Sequence, residues 1–200
     1  MALSDTDANT STNMNKLRDG NGTWLKSYYF TRAAFSVVWV AMAFTLAKNM
    51  PGIAAVMLVV YPAWDAAANL VDAQRNGGLR SNLTQVLNVL VSSITTIAVV
   101  IALGISMNAV LAVFGVWAAL SGGFQLGTGV RRWKRHGAQW AMILSGAQSM
   151  LAGVLFLGRS QTAAIPQVTD IAPYAAFGAF YFLVSAVLLA ISDRRRQSGS

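Results

Sequence analysis

Residues Ser81 to Val130 read SNLTQVLNVLVSSITTIAVVIALGISMNAVLAVFGVWAALSGGFQLGTGV, 50 residues without a single Asp, Glu, Lys, Arg or His. As one helix the run would be about 75 Å long at 1.5 Å per residue. The hydrocarbon core of a bilayer is only about 30 Å thick. The run therefore has to fold back on itself, and Gly104-Ile105-Ser106-Met107-Asn108 is the natural turn. It reads as two spans, roughly Gln85 to Leu103 and Ala109 to Val130. The composition agrees with an integral α-helical membrane protein. Of the 200 residues 55% are hydrophobic and 11% charged, with a mean hydropathy of +0.50, whereas a soluble domain is about 25% charged.

Working outward, a first helix is expected from about Tyr28 to Ala47, with Trp24, Tyr28 and Tyr29 at the interfacial level. Lys48-Asn49-Met50-Pro51-Gly52 is a tight turn. A second helix follows to about Val71 or Ala73, stopped by Gly77-Gly78. Beyond the central run comes the basic loop Arg131 to Gly137, flanked by the interface anchors Trp133 and Trp140. A fifth helix is expected over roughly Ala138 to Leu157. A polar loop from Arg159 to Asp170 holds Pro166 and is closed by Pro173. A sixth helix runs from about Tyr174 to Ile191. The expected organisation is a disordered cytoplasmic tail over 1–26, one six-helix membrane domain over 27–192 and a basic cytoplasmic tail over 193–200. The polar start is no secretory signal, because the first apolar run begins only near Tyr28.

The net charge of +8 is a matter of topology. In this arrangement thirteen Lys and Arg fall on one side of the membrane and only Lys48 and Arg159 on the other. The positive-inside rule then puts both termini in the cytoplasm. Basic loops beside anionic lipid account for these clusters, and nucleic acid is not an expected partner.

Three stretches share one pattern: Tyr61-Pro62-Ala63-Trp64, Phe114-Gly115-Val116-Trp117 and Phe177-Gly178-Ala179-Phe180. Each is an aromatic, then Pro or Gly, a small or β-branched residue, and a second aromatic, on an even-numbered helix. The offsets are 53 residues (Tyr61 to Phe114) and 63 (Phe114 to Phe177), the extra length falling in the loop before the sixth helix. This reads as three parallel hairpin repeats, about 28–75, 85–135 and 138–194, and not as the inverted pair common in secondary transporters.

On these residues, Val60 to Asp65, Val113 to Gly122 and Ala176 to Ser185, the chain resembles the HdeD-like bacterial membrane proteins, a short-repeat family of undefined function. The resemblance implies a multi-pass protein of the bacterial inner (plasma) membrane, with some members linked to acid resistance. It brings no catalytic residues. Ala118 and Tyr181 stand where repeats two and three would match Asp65, so any role of Asp65 belongs to the first repeat.

Asp65 is the one acid well inside a span. Placing it there costs on the order of 2.5–3.5 kcal/mol on insertion scales. Arg32 lies at nearly the same depth below the turn, so an Arg32–Asp65 ion pair is expected. The alternative is a protonatable carboxylate on a proton or cation path. Asp65, Asn69 and Asp72 form one polar stripe at i, i+4 and i+7. The third helix carries a second stripe, Ser81, Gln85, Asn88, Ser92 and Thr96, read as interhelical glue or as the lining of a wet groove. Gly115, Ala119, Gly123 and Gly127 on the fourth helix, and Ser145, Ser149 and Gly153 on the fifth, are ribbons of small residues for close packing. They would serve within one chain or in a homo-oligomer.

There is no cysteine and one histidine, His136, among loop cations. No metal ligand set, nucleophile–base set or cofactor motif follows; Gly123-x-x-x-Gly127 has no preceding strand. The expected function is thus non-catalytic, supporting acid or envelope stress tolerance. The alternative is a small proton, ion or solute channel or transporter using Asp65.

Overall fold

Helix follows helix, with Pro51, Gly77-Gly78, Gly104 and Pro166 at the breaks between them and Pro62 and Pro173 carried inside helices. The computed structural model describes the backbone of residues 2–75, 77–81, 83–132 and 140–198. Among them are six α-helices and no strand: α1 (Ala2–Thr45), α2 (Pro51–Arg75), α3 (Leu83–Leu103), α4 (Met107–Arg132), α5 (Trp140–Ser160) and α6 (Val168–Ser198). Short 3-10 turns lie at Ala47–Asn49 and Leu79–Ser81. Among the described residues five segments are long and apolar enough to cross a membrane: Thr23–Asn49, Pro51–Arg75, Leu83–Leu103, Met107–Gly127 and Val168–Ser192. The chain is thereby a multi-pass helical membrane protein by length and composition. The fifth helix, expected as a span, has 21 residues, or about 31 Å. Its apolarity is diluted by Ser145, Gln148, Ser149 and Arg159.

The turns fall where sterics demand them. Pro51 opens α2 at the first helical position, where its missing N–H is no loss. Gly77 and Gly78 take φ of 90° and 85°. Gly78 N–H donates to Ala73 O at 2.8 Å, closing α2 as a Schellman-type stop. The hairpin between α3 and α4 turns at Gly104, as expected.

Other boundaries differ from the sequence reading. α1 begins at Ala2, against the disordered tail expected over 1–26. No proline interrupts the chain before Pro51, so nothing covalent stops a helix there. α6 begins at Val168, so Pro173 lies inside the helix and does not close the loop. The loop ends earlier because Asp170 caps it. Its Oδ2 accepts Gln167 N–H at 2.8 Å, half of a capping box. α6 also runs to Ser198, through the expected tail at 193–200. Of the basic loop at Arg131 to Gly137, residues from 133 on, with Trp133 and His136, lie outside the described residues, as does the side chain of Trp140.

The chain divides into two compact units, Met1–Val37 with Gly178–Ser200, and Val38–Phe177. In the second, α2, α3, α4 and α5 pack as consecutive neighbours. Its core is aromatic. Trp39 meets Tyr61 at 5.0 Å between ring centroids. Trp117 meets Tyr61, Phe114 and Tyr174 edge-on at 5.7, 5.7 and 5.9 Å, the arrangement that ring quadrupoles favour. The Trp39 indole donates to Met57 O at 2.9 Å, fastening the end of α1 to α2. Of the repeated aromatics, Tyr61, Phe114 and Trp117 are buried and Trp64 is half-buried, but Phe177 and Phe180 are 50% and 57% exposed. The reason is that α6 buries its small face, with Ala172, Ala175, Ala179 and Ala186 inside. The third copy of the pattern therefore shares the sequence but not the environment of the first two.

The α4–α5 contact is the tightest in this unit. A Cβ on Gly115 would sit 3.0 Å from Gly153 O, and one on Gly153 would sit 2.7 Å from Gly115 O and Ala119 N. A Cβ on Gly122 would sit 2.6 Å from Gly146 O, and one on Gly146 would sit 2.7 Å from Leu126 N. The glycines thus pair across an antiparallel contact, seven residues apart on each helix. Gly123, expected on this ribbon, has only Met150 Sδ, at 4.0 Å, and a Cβ on Gly127 would meet nothing within 4 Å. The ribbon is Gly115, Ala119 and Gly122, not Gly115, Ala119, Gly123 and Gly127.

Candidate functional site

An acid in an apolar helix demands donors, and the second unit supplies them from neighbouring helices. Asp65, half-buried on α2, accepts at Oδ2 from Ser92 Oγ of α3 at 2.8 Å. The same oxygen accepts from Asn69 Nδ2, one turn on, at 3.0 Å. Asn69 Nδ2 also donates to the Asp65 carbonyl at 2.8 Å. Ser92 is fully buried, and its oxygen accepts the Trp117 indole N–H of α4 at 3.0 Å. A hydroxyl carries one donor and two acceptor sites, and Ser92 uses both kinds at once. The order Trp117 N–H to Ser92 O–H to Asp65 is a chain of bonds that polarise one another. It ties α2, α3 and α4 together at one level.

Two turns away the same helices meet again. Asp72 is buried and accepts at Oδ2 from Gln85 Nε2 at 3.0 Å. Asp65 with Ser92, and Asp72 with Gln85, stand equally far in sequence from the break between Gly78 and Leu79, as an antiparallel hairpin requires. The two expected stripes, Asp65, Asn69, Asp72 on α2 and Gln85, Asn88, Ser92, Thr96 on α3, therefore face each other at two of their rungs. Asn88 is half-buried between Gln85 and Ser92. Thr96 turns back to bond Ser92 O at 2.8 Å, a bond within its own helix.

Arg32 lies in the other unit. Its Nη1 donates to Tyr28 OH at 2.9 Å, and its guanidinium stands 4.3 Å from the Phe182 ring centroid and 5.7 Å from that of Tyr28. Such cation–π contacts are worth roughly 0.5–2 kcal/mol, more as water is excluded. The expected Arg32–Asp65 pair would join residues of different units.

A family model described as a short repeat of unknown function (DUF308) matches residues 90–158. That is about a third of the chain, from the middle of α3 to the end of α5. Comparison with curated proteins and with solved structures finds no match. The matched stretch holds Ser92, Trp117 and all four glycines of the close α4–α5 contact. Asp65 lies outside it, so the Ser92–Asp65 bond joins the matched repeat to the hairpin before it.

Two residues carry more than the sequence suggests. Trp117 enters the sequence reading only as one of the repeated aromatics, but its N–H anchors Ser92. Asn108, in sequence only part of a turn, donates through Nδ2 to the carbonyls of Ser160, Thr162 and Ala164 at 3.1, 3.0 and 3.5 Å. It fastens the loop that lengthens the third repeat. The same loop is closed by the Arg159–Asp170 ion pair at 2.9 Å. Among the described residues no three of His, Cys, Asp and Glu come together.

Proposed function

We propose that the protein is a non-catalytic, six-span scaffold of the bacterial inner membrane, HdeD-like in kind, that supports acid or envelope stress tolerance. Both termini are cytoplasmic in this reading, α5 crosses the membrane as well and completes six spans, and the basic ends lie against anionic lipid. The observation that carries it is the state of Asp65. Its Oδ2 is engaged by Ser92 and Asn69, and Ser92 is in turn held by an indole packed among three aromatic rings. A group on an ion path has to exchange partners with water, whereas Ser92 and Asn69 are protein side chains, and Ser92 is held in turn from a third helix. The match to a short repeat of unknown function supports the kind of protein, and the thirteen-to-two distribution of Lys and Arg supports the orientation.

A second reading, a small proton, ion or solute channel or transporter using Asp65, draws on the two polar rungs, Asp65–Ser92 and Asp72–Gln85, spaced along the same helix pair. The test is survival of a deletion strain after acid challenge, complemented by wild type or by Asp65→Asn, with membrane levels checked by immunoblot. Asparagine keeps an acceptor for Ser92 but cannot titrate. Rescue by both is expected. Failure of an equally abundant Asp65→Asn would transfer the case to the transport reading, to be followed by proton flux in liposomes. A deletion without an acid phenotype would remove the stress role and leave the membrane scaffold.

A further inference from the structure

The first unit contains an open groove of about 490 Å³ lined by Leu188, Ile191, Ser192 and Arg195 of α6. These residues recur at helical spacing and form one face, apolar for its first turn and polar for its second. From Leu188 to Arg195 the face runs about 10 Å along the helix. The order matters: in the direction of the chain, two branched aliphatic side chains come first, then a hydroxyl, then a guanidinium. We propose that this groove binds one anionic glycerophospholipid, its phosphate on Arg195 and Ser192 and the start of an acyl chain on Leu188 and Ile191.

The chemistry fits the amphiphile on three counts. A guanidinium presents a planar fork of N–H donors that matches the two non-bridging oxygens of a phosphodiester. The Ser192 hydroxyl, one turn earlier, is a further donor for phosphate or ester oxygen. The aliphatic pair lies on the span side of the polar pair, since Val168–Ser192 is the membrane-crossing length of α6 and Arg195 falls just beyond it. The groove therefore sits where tail meets headgroup. The negative end of the helix does not attract a phosphate, so the attraction rests on cationic side chains, and the Asp193-Arg194-Arg195-Arg196 sequence supplies net positive charge. Arg194 projects from another side of the helix, about 100° round from Arg195, and so distinguishes a site from a diffuse basic end.

This inference rests on the reading that α6 spans a membrane, which alkaline carbonate extraction of the full-length protein checks separately. The site itself is tested by native mass spectrometry of the purified protein in mild detergent, titrated with phosphatidylglycerol, phosphatidylcholine or inorganic phosphate. Wild type is expected to take up one phosphatidylglycerol before any phosphatidylcholine. Arg195→Gln is expected to weaken that first binding about tenfold, the loss of one charge-assisted bond. Ser192→Ala should weaken it a few-fold, and Arg194→Gln should change it less than about twofold. Circular dichroism and size-exclusion profiles identical to wild type establish that each variant is folded. An equal loss in Arg194→Gln would overturn the site in favour of general surface charge. Unchanged binding in Arg195→Gln would overturn it outright. Displacement of the lipid by an equal concentration of inorganic phosphate would assign the groove to a free anion and overturn the lipid.

Discussion

Replacing Gly146 by alanine adds one methyl group at the closest approach of α4 and α5. Its Cβ would stand 2.7 Å from Leu126 N, 2.8 Å from Gly122 O and 3.0 Å from Leu126 Cα. Optimal separation for such atoms is roughly 3.5 Å or more, so the methyl sits about 0.8 Å too near. All three obstacles are backbone, and no side-chain rotation relieves them. The helices have to move apart, which also loosens Gly122 against Met150 and Gly153 against Ala119. Overpacking of this kind costs about 1–3 kcal/mol. Alanine also favours a helix interior over glycine, by about 0.5–1 kcal/mol, which would mask part of the loss. Gly123→Ala cancels that term. It lies on α4, just off the contact, gains the same helix preference, and its Cβ would meet nothing closer than Met150 Sδ at 4.0 Å. The difference between the two variants isolates the steric effect. Unfolding by dodecyl sulfate titration in mixed micelles, followed by tryptophan fluorescence, should place Gly146→Ala about 1–3 kcal/mol below Gly123→Ala. Stabilities within about 0.5 kcal/mol of each other, the usual spread of a neutral change, would refute the glycine register deduced for this contact.

Ser92→Ala removes the acceptor of the buried Trp117 N–H and one donor to Asp65, and is expected to destabilise by about 1–3 kcal/mol in the same titration. Its double-mutant cycle with Asp65→Asn should show a coupling above roughly 0.5 kcal/mol, since the two side chains bond directly. Asn108→Ala releases three loop carbonyls. Limited proteolysis should then cut within 160–164 faster than in wild type, with a stability loss of about 1 kcal/mol. At the other end of that loop, Asp170→Ala should cost more than Arg159→Gln. The ion pair is solvent-exposed at Arg159, whose side chain is 53% accessible, and such a pair is worth at most about 1 kcal/mol. Asp170 also accepts Gln167 N–H and so caps the N-terminus of α6. Thermal unfolding of the two variants ranks them, and an equal shift would refute the capping role.

What could be read in the chain, and what could not, follows from its apolar surroundings. Spans and turns were legible because a bilayer limits helix length. A chargeless run of 50 residues then allows few foldings. Which face of a span turns inward was much less legible. Lipid tails are as apolar as leucine, so Ile94, Ile97 and Ile101 are exposed while Ser92 and Thr95 of the same helix are buried. Size, more than polarity, decides the inner face of α4 and α5, and size leaves an ambiguous trace. Residues four apart drift about 40° per step round a helix, whereas residues seven apart drift only about 20°. Gly115, Ala119, Gly123 and Gly127 therefore wind away from the partner, and the working contact returns to it at Gly122. Asp65 could be singled out because an intramembrane acid is costly, but neither its cost nor its depth pointed to Ser92 or Trp117. A usable signal was present all the same. Asp72 and Gln85, Asn69 and Asn88, and Asp65 and Ser92 each mirror one another about the break after Gly78. Polar residues placed symmetrically about a turn are what an antiparallel hairpin needs if it is to satisfy them in a bilayer, where water is not at hand. On that criterion the α2–α3 hairpin is a unit the sequence specifies by itself. Trp117 is then the residue through which α4 joins it.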